Sequence, residues 1–165
     1  MNIENRNSYT NSNVSLKKIT RRNVEQILNL RVKPGQRFLV APNAKSIALA
    51  HYERGTWMRG IYLGNEPIGF VLLIDSTLKR KRVMSEKSFL YLWRFMIDGR
   101  YQGNGYGRRA LELVIEYAKS RPNVKEITLH HETGKGNAGE FYKKVGFKHT
   151  GKTHENELEM MLTLN

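Results

Sequence analysis

The stretch from Phe89 to Ala118 constrains the fold more than any other part of the chain. Phe89 to Ile97 is a continuous apolar run of strand length. A turn rich in Gly, Asp and Gln follows, Asp98-Gly99-Arg100-Tyr101-Gln102-Gly103-Asn104-Gly105-Tyr106-Gly107. Ala110, Leu111, Val114, Ile115 and Ala118 then recur at helical spacing. A strand that passes through glycines into a helix can aim several backbone N–H groups at one anion. The positive end of the helix dipole adds to that field. Such a unit suits a pyrophosphate, and Arg100, Arg108 and Arg109 bring further positive charge.

The flanking segments extend this unit into a mixed fold. Val14 to Ile19 alternates like a half-buried strand. Thr20 is placed to cap a first helix through Val24, Ile27, Leu28 and Leu30, which Pro34-Gly35 ends. A second helix opens at Pro42 and carries Ile47, Leu49, Ala50 and Tyr52. Trp57 to Leu63 and Ile68 to Ile74 read as a hairpin turning at Gly64-Asn65-Glu66-Pro67. Thr77 to Lys87 is a charged connection holding Lys79-Arg80-Lys81-Arg82. After the central helix, Val124 to His131 is a strand and Asn137 to Val145 a short helix closed by Gly146. Phe147 to Thr150 and Glu157 to Leu164 are the closing strands. The order is β-α-α-β-β-β-α-β-α-β-β. The expected class is α+β, or α/β: a central mixed, largely antiparallel sheet of about seven strands with flanking helices. Residues 1–13, rich in Asn, read as a disordered polar tail before a single domain over 14–165.

Composition narrows the function. With no cysteine, thiolate chemistry and cysteine-held zinc are excluded, and no metal is expected. No apolar run approaches the roughly 18 residues of a membrane span, and the start of the chain lacks the apolar core of a signal peptide. The expectation is a cytoplasmic protein with no membrane partner. The net charge of +13 attracts polyanions. No nucleic-acid reading module accompanies it, so a solvated basic surface that favours an anionic cofactor is the simpler account.

The loop Gln102 to Gly107, set between strand and helix, and the later Ala138-Gly139-Glu140-Phe141-Tyr142-Lys143-Lys144-Val145-Gly146-Phe147 together resemble the GNAT superfamily of acyl-CoA-dependent N-acyltransferases. Leu39-Val40-Ala41-Pro42-Asn43, Ser46-Ile47-Ala48-Leu49-Ala50 and Trp93-Arg94-Phe95-Met96-Ile97-Asp98 are similar to bacterial spermine/spermidine acetyltransferases of that superfamily. The resemblance implies the GNAT fold, acetyl-CoA as co-substrate and direct attack by a small-molecule primary amine, such as a polyamine. It leaves a homodimer open. Aminoglycosides, peptides and protein amines stay as alternative acceptors, and a non-catalytic binder of CoA or nucleic acid as an alternative class.

The same resemblance distributes the roles. The backbone of Phe95, Met96 and Ile97 would hold the pantetheine arm and supply a donor for the developing oxyanion. Gln102, Gly103, Asn104, Gly105, Tyr106, Gly107 and Arg108 would cradle the pyrophosphate. Tyr142 would be the general acid for the departing thiolate, since a phenol ordinarily holds its proton to about pH 10. Lys144 would contact CoA. Relatives often carry an asparagine where this chain has Lys135, so Asn137 is the candidate for its pantetheine contact. Glu132 would bind or relay protons from the acceptor. His130 and His131, beside it, point to opposite faces of the strand. Asp98 is expected to cap the loop. A polyamine acceptor also requires Glu25, Glu53, Glu132 and similar carboxylates to gather at the cleft.

Overall fold

The computed structural model describes residues 13–79, 88–134 and 136–165. The proposed tail up to Ser12, Arg80-Lys81-Arg82 of the basic run, and Lys135 lie outside the described residues. Asn13, the last residue assigned to the tail, accepts a backbone hydrogen bond from Gly64.

Strands β1 (Val14–Lys18), β2 (Thr56–Leu63), β3 (Glu66–Asp75), β4 (Ser88–Ile97), β5 (Val124–His131), β6 (Lys148–His154) and β7 (Glu157–Thr163) form one seven-stranded sheet in the order β1-β2-β3-β4-β5-β7-β6. Every neighbouring pair is antiparallel except β4–β5, which is parallel. The helices are α1 (Val24–Asn29), α2 (Asn43–Tyr52), α3 (Tyr106–Lys119) and α4 (Gly139–Val145). The sheet class and the element order agree with the sequence reading.

β3 is buried on both faces, and its near-continuous apolar run is what such an interior strand requires. Phe70 and Leu72 pack under α1 and α2 with Ile27, Leu30, Ala50, Tyr62 and Met96. Val71 and Leu73 pack on the other face with Leu111, Val114 and Ala118 of α3. Leu111 has no exposed surface, and truncating such a side chain to Ala costs about 2–5 kcal/mol.

Two bulges re-aim the strands. Ile68 is the extra residue of β3 opposite Ile61 and Tyr62, so the strand begins at Glu66 and runs through Pro67, which the sequence assigns to the turn. Trp93 is the extra residue of β4 opposite Leu72 and Leu73. It shifts the alternation, so Phe95 and Ile97 share a face with Leu90 and Leu92. β6 runs on to His154, beyond the expected end at Thr150, because its pairing with β7 resumes at Thr153–Leu158 after an irregular stretch.

The far end of α3 is tied to β3. The Tyr117 hydroxyl donates to Asp75 Oδ2 at 2.6 Å, and Arg121 Nε lies 3.2 Å from the same oxygen. Burial and that hydrogen bond hold the Tyr117 phenol well above its ordinary ionisation range. With that end fixed, the glycine-rich end of α3 is held against the tip of β4.

Candidate active site

The glycine loop is built on Asp98, which is 4% exposed. Oδ1 accepts from Arg100 N at 3.0 Å and Arg100 Nε at 2.8 Å. Oδ2 accepts from Arg31 N at 3.0 Å and Arg100 Nη2 at 3.3 Å. Burial opposes ionisation, but these donors together hold the carboxyl below its ordinary range. Asp98 therefore caps the loop, as expected, and also joins it to the chain after α1. The Gln102 side chain donates to Ile97 O and to Gln36 Oε1, both at 2.9 Å, which pins the loop to the end of β4.

Beyond that anchor the backbone changes character. Gly103 and Gly105 have φ of +87° and +80°, a region open to glycine at little cost. Tyr101 N donates back to Asp98, and Arg109 N closes the first helical bond to Gly105. Among the described residues, the N–H groups from Gln102 to Arg108 have no protein acceptor. A run of unpaired N–H groups at the head of the fourteen-residue helix α3 is an anion cradle. These residues fit a pyrophosphate. Asn104 turns its amide inward, onto the carbonyls of Tyr101 and Gln102 at 3.3 Å. Arg108 and Arg109 are engaged with Glu112, and Arg109 also with Glu116.

The second element of the site is a gap within the sheet. Parallel pairing of β4 with β5 runs from Ser88–Val124 to Leu92–Leu129 and stops. From Trp93 onward β4 has no partner on that side among the described residues. Asp98 N donates to Ile68 O at 2.8 Å, so by alternation Phe95 and Ile97 turn their backbone groups into the gap. The Ile97 carbonyl is the one that Gln102 caps. Met96, between them, faces β3 with its backbone and lies 3.8 Å from Asn43 Nδ2 through its sulfur. Of the three residues proposed for the pantetheine arm, Phe95 and Ile97 thus have the open backbone edge.

α4 walls one side of the gap. Phe141 stacks on Phe95, with centroids 5.9 Å apart, and Tyr142 packs edge-on between Phe141 and Phe147. Tyr142 is buried, and burial, with a smaller push from Tyr91, holds its hydroxyl well above the ordinary phenol range. Asn137 closes the turn into α4: Nδ2 donates to Gly134 O at 2.6 Å and Oδ1 accepts from Gly139 N at 2.8 Å. Its amide is committed to that turn. Lys144 is exposed.

The opposite face holds a polar cluster. Tyr91 of β4 and His130 of β5 meet at 3.1 Å, hydroxyl to Nδ1. On the far side of the ring, Nε2 lies 3.7 Å from Glu159 Oε2 of β7. Thr150 donates to Glu159 Oε1 at 2.7 Å. Burial, then Glu157, push the Tyr91 phenol above its ordinary range, against the pull of Arg94. Arg94 lies on the same side, half-buried over Trp93, and its Nε has no partner among the described residues. His131 points the other way, under Gly139, with Nδ1 donating to Glu132 O at 2.8 Å.

Glu25 and Glu53 do not join this cluster. Both are exposed, and Glu53 accepts from the neighbouring Arg54 N. Glu132, half-buried past the end of β5, makes no side-chain hydrogen bond to the cluster among the described residues. The acidic residues that do gather are Glu157 and Glu159. Sequence reasoning missed these two, Tyr91 and Arg94. Putting Tyr91 and His130 on one face needs the β4–β5 register, which pairs Tyr91 with Thr128, two residues before His130. Glu159 needs the β5–β7 register, which pairs it with His130.

The family model described as "Acetyltransferase (GNAT) family" matches residues 24–147. The chain is 27% identical over 157 residues to the spermine/spermidine N(1)-acetyltransferase of Bacillus subtilis (strain 168), covering 90% of this chain and 97% of that protein. A probable spermine N(1)-acetyltransferase of Bacillus subtilis subsp. natto is 26% identical over the same length. The fold matches that of Vibrio cholerae spermidine N-acetyltransferase in complex with CoA and spermine, with a TM-score of 0.67 and 17% identity over 93% of this chain and 96% of that one. It also matches Arabidopsis thaliana Naa50 in complex with a bisubstrate analogue, with a TM-score of 0.63 and 24% identity over 91% of this chain and 98% of that one. With its glycine loop, its central gap and a family match over most of its length, the chain belongs to the GNAT family of acetyltransferases.

Proposed function

We propose that the protein transfers an acetyl group from acetyl-CoA to a primary amine, with a polyamine such as spermine or spermidine as the acceptor. The observation that carries this reading is the gap between β4 and β5, with a protonated phenol on one side and a phenol–imidazole–carboxylate chain on the other. The cradle from Gln102 to Arg108 holds the pyrophosphate, and the open edge at Phe95 and Ile97 takes the pantetheine arm as an added strand. The edge N–H groups are also the donors for charge developing on the thioester oxygen.

The acceptor arrives as an ammonium. Tyr91 takes one of its protons while passing its own to His130 Nδ1. The freed lone pair forms the N–C bond and the C–S bond breaks. Tyr142 delivers its proton to sulfur, and the second proton shed by nitrogen restores Tyr142. The proton on His130 leaves to water, so one proton is released per turnover. Raised ionisation suits both phenols, because each is protonated at neutral pH.

Glu157 and Glu159 supply the local negative charge that a polycation needs in a chain of net charge +13. Arg94 favours a second reading, an acceptor that carries a carboxylate or carbonyl near its amine, as a peptide or an amino acid does. The test is thiol release from acetyl-CoA with spermine, spermidine, cadaverine, lysine and a short peptide. Preference for the polyamines supports the first reading. Lysine used much better than cadaverine, which lacks only the carboxylate, replaces it with the second. CoA binding without thiol release on any amine refutes both.

A further inference from the structure

His130 is only as good a base as its orientation allows. The ring has two nitrogens, and the route above works only when Nδ1 offers a lone pair to Tyr91. The proton of the neutral ring must then sit on Nε2, which points at Glu159. Glu159 is itself held: Oε1 accepts from Thr150 at 2.7 Å, and its side chain is 17% exposed. We propose that Glu159 is the positioning residue for His130, with Thr150 as its anchor, so that Tyr91, His130, Glu159 and Thr150 form one chain from the acceptor amine to β6. This rests on the acetyl-transfer reading and names the part of that site which manages the proton.

Each link has a separate task. The Thr150 hydroxyl fixes one carboxylate oxygen and leaves the other facing Nε2. The carboxylate selects the Nε2–H tautomer, which turns Nδ1 into the acceptor for the Tyr91 hydroxyl. When His130 takes the proton, both ring nitrogens become donors, and the 3.7 Å approach of Nε2 to Oε2 becomes an ion pair. Glu159 takes no proton itself. Its field favours the imidazolium at the moment the amine is deprotonated.

Other charges face the ring from each neighbouring element. β4 contributes Tyr91 and Arg94, and β7 contributes Glu157 beside Glu159. β6 contributes His154, whose ring centroid is 5.7 Å from that of His130, and Lys152, whose Nζ is 3.8 Å from Glu159 Oε1. Lys152 is 76% exposed, so water screens its competition for the carboxylate. Glu159 is the carboxylate within ion-pair distance of Nε2, at 3.7 Å.

Glu159→Gln tests this, measured as kcat, KM and their pH dependence, with Glu159→Asp and Thr150→Val beside it. The expected result is a loss of about tenfold to a hundredfold in kcat. KM for acetyl-CoA stays near wild type, and the acidic limb of the kcat/KM profile moves to lower pH. Glu159→Asp recovers part of the loss, and Thr150→Val shows a smaller one of the same kind. A second measurement does not depend on turnover. Nitrogen-15 NMR of the imidazoles shows His130 as the Nε2–H tautomer in wild type and as a mixture in Glu159→Gln. An unchanged tautomer, or a loss of equal size at every pH with an unchanged His130 spectrum, overturns the proposal. If the wild type acetylates no amine at all, the acetyl-transfer reading fails, while the tautomer still decides whether Glu159 orients the ring.

Discussion

Replacing Asp98 by Asn removes one charge and leaves the shape, so the cost can be worked from the four hydrogen bonds described above. Both carboxylate oxygens accept from a backbone N–H, Oδ1 from Arg100 and Oδ2 from Arg31. An amide has only one acceptor oxygen. Whichever way it turns, its NH2 confronts one of those N–H groups, donor against donor. Leaving a buried N–H without an acceptor costs about 1–3 kcal/mol, and the other bond loses its charge assistance, about 1 kcal/mol more. Arg100 is exposed and adds nothing to this sum. The expected loss is about 2–4 kcal/mol, or roughly 5–15 °C in Tm for a chain of this size. The sign with pH follows from the depressed ionisation of Asp98. A carboxyl whose folded-state pKa lies below its unfolded value stabilises the fold above the unfolded value, about 3.9. That contribution is lost as pH falls through the folded value. Thermal melts of wild type and Asp98→Asn should differ most near pH 7 and draw together below about pH 3. Equal melting at pH 7, or a gap undiminished at pH 2, refutes the reasoning. Since Asp98 also sets the loop, the variant should bind acetyl-CoA more weakly at a temperature where both proteins are folded, and calorimetric titration checks that.

Tyr142→Phe keeps the ring that packs between Phe141 and Phe147 and removes the hydroxyl proposed as the proton donor. It should lower kcat by about a hundredfold, with acetyl-CoA affinity near wild type, and unchanged turnover across the pH range removes Tyr142 from the mechanism. Arg94→Gln removes a half-buried cation from the acceptor face. It should lower KM for spermine by about threefold to fivefold, equivalent to about 1 kcal/mol of relieved repulsion, and steady-state kinetics with spermine and lysine show whether discrimination between them shifts in the same variant.

The parts of this molecule set by local pattern were legible in the chain. Alternation and helical spacing gave the strands and α3, and the glycines gave the turn that α3 starts from. The cluster around His130 was legible only in part, because its members come from four strands. Tyr91 reads as one more apolar strand residue until the bulge at Trp93 and the β4–β5 register show which face it takes. Glu157 and Glu159 sit in what reads as a terminal strand, and only their insertion between β5 and β6 puts them beside the acceptor face. Glu132, at the end of β5, is the carboxylate that the resemblance implies, yet the one that reaches His130 comes from the neighbouring strand β7. Asn137 likewise suggested a ligand contact, and its amide is engaged in closing the turn before α4.

The gap between β4 and β5 also divides the protein mechanically. On one side lie β1 to β4 with α1 and α2, and on the other β5 to β7 with α4. Among the described residues, the short parallel ladder from Ser88 to Leu92, the helix α3, the Phe95–Phe141 stack and the Tyr91–His130 contact join them. Tyr142 rides on one half and the open edge of β4 on the other, and the Phe95–Phe141 stack bridges the two. A molecule lying along that edge would cross-link the halves, raise the stability of both together by about 2.7 kcal/mol at a hundredfold excess over its Kd, and, in the acetyl-transfer reading, set Tyr142 against the thioester in the same act. Binding and alignment would then be one event, because the fold leaves its sheet unclosed at the place where chemistry has to occur.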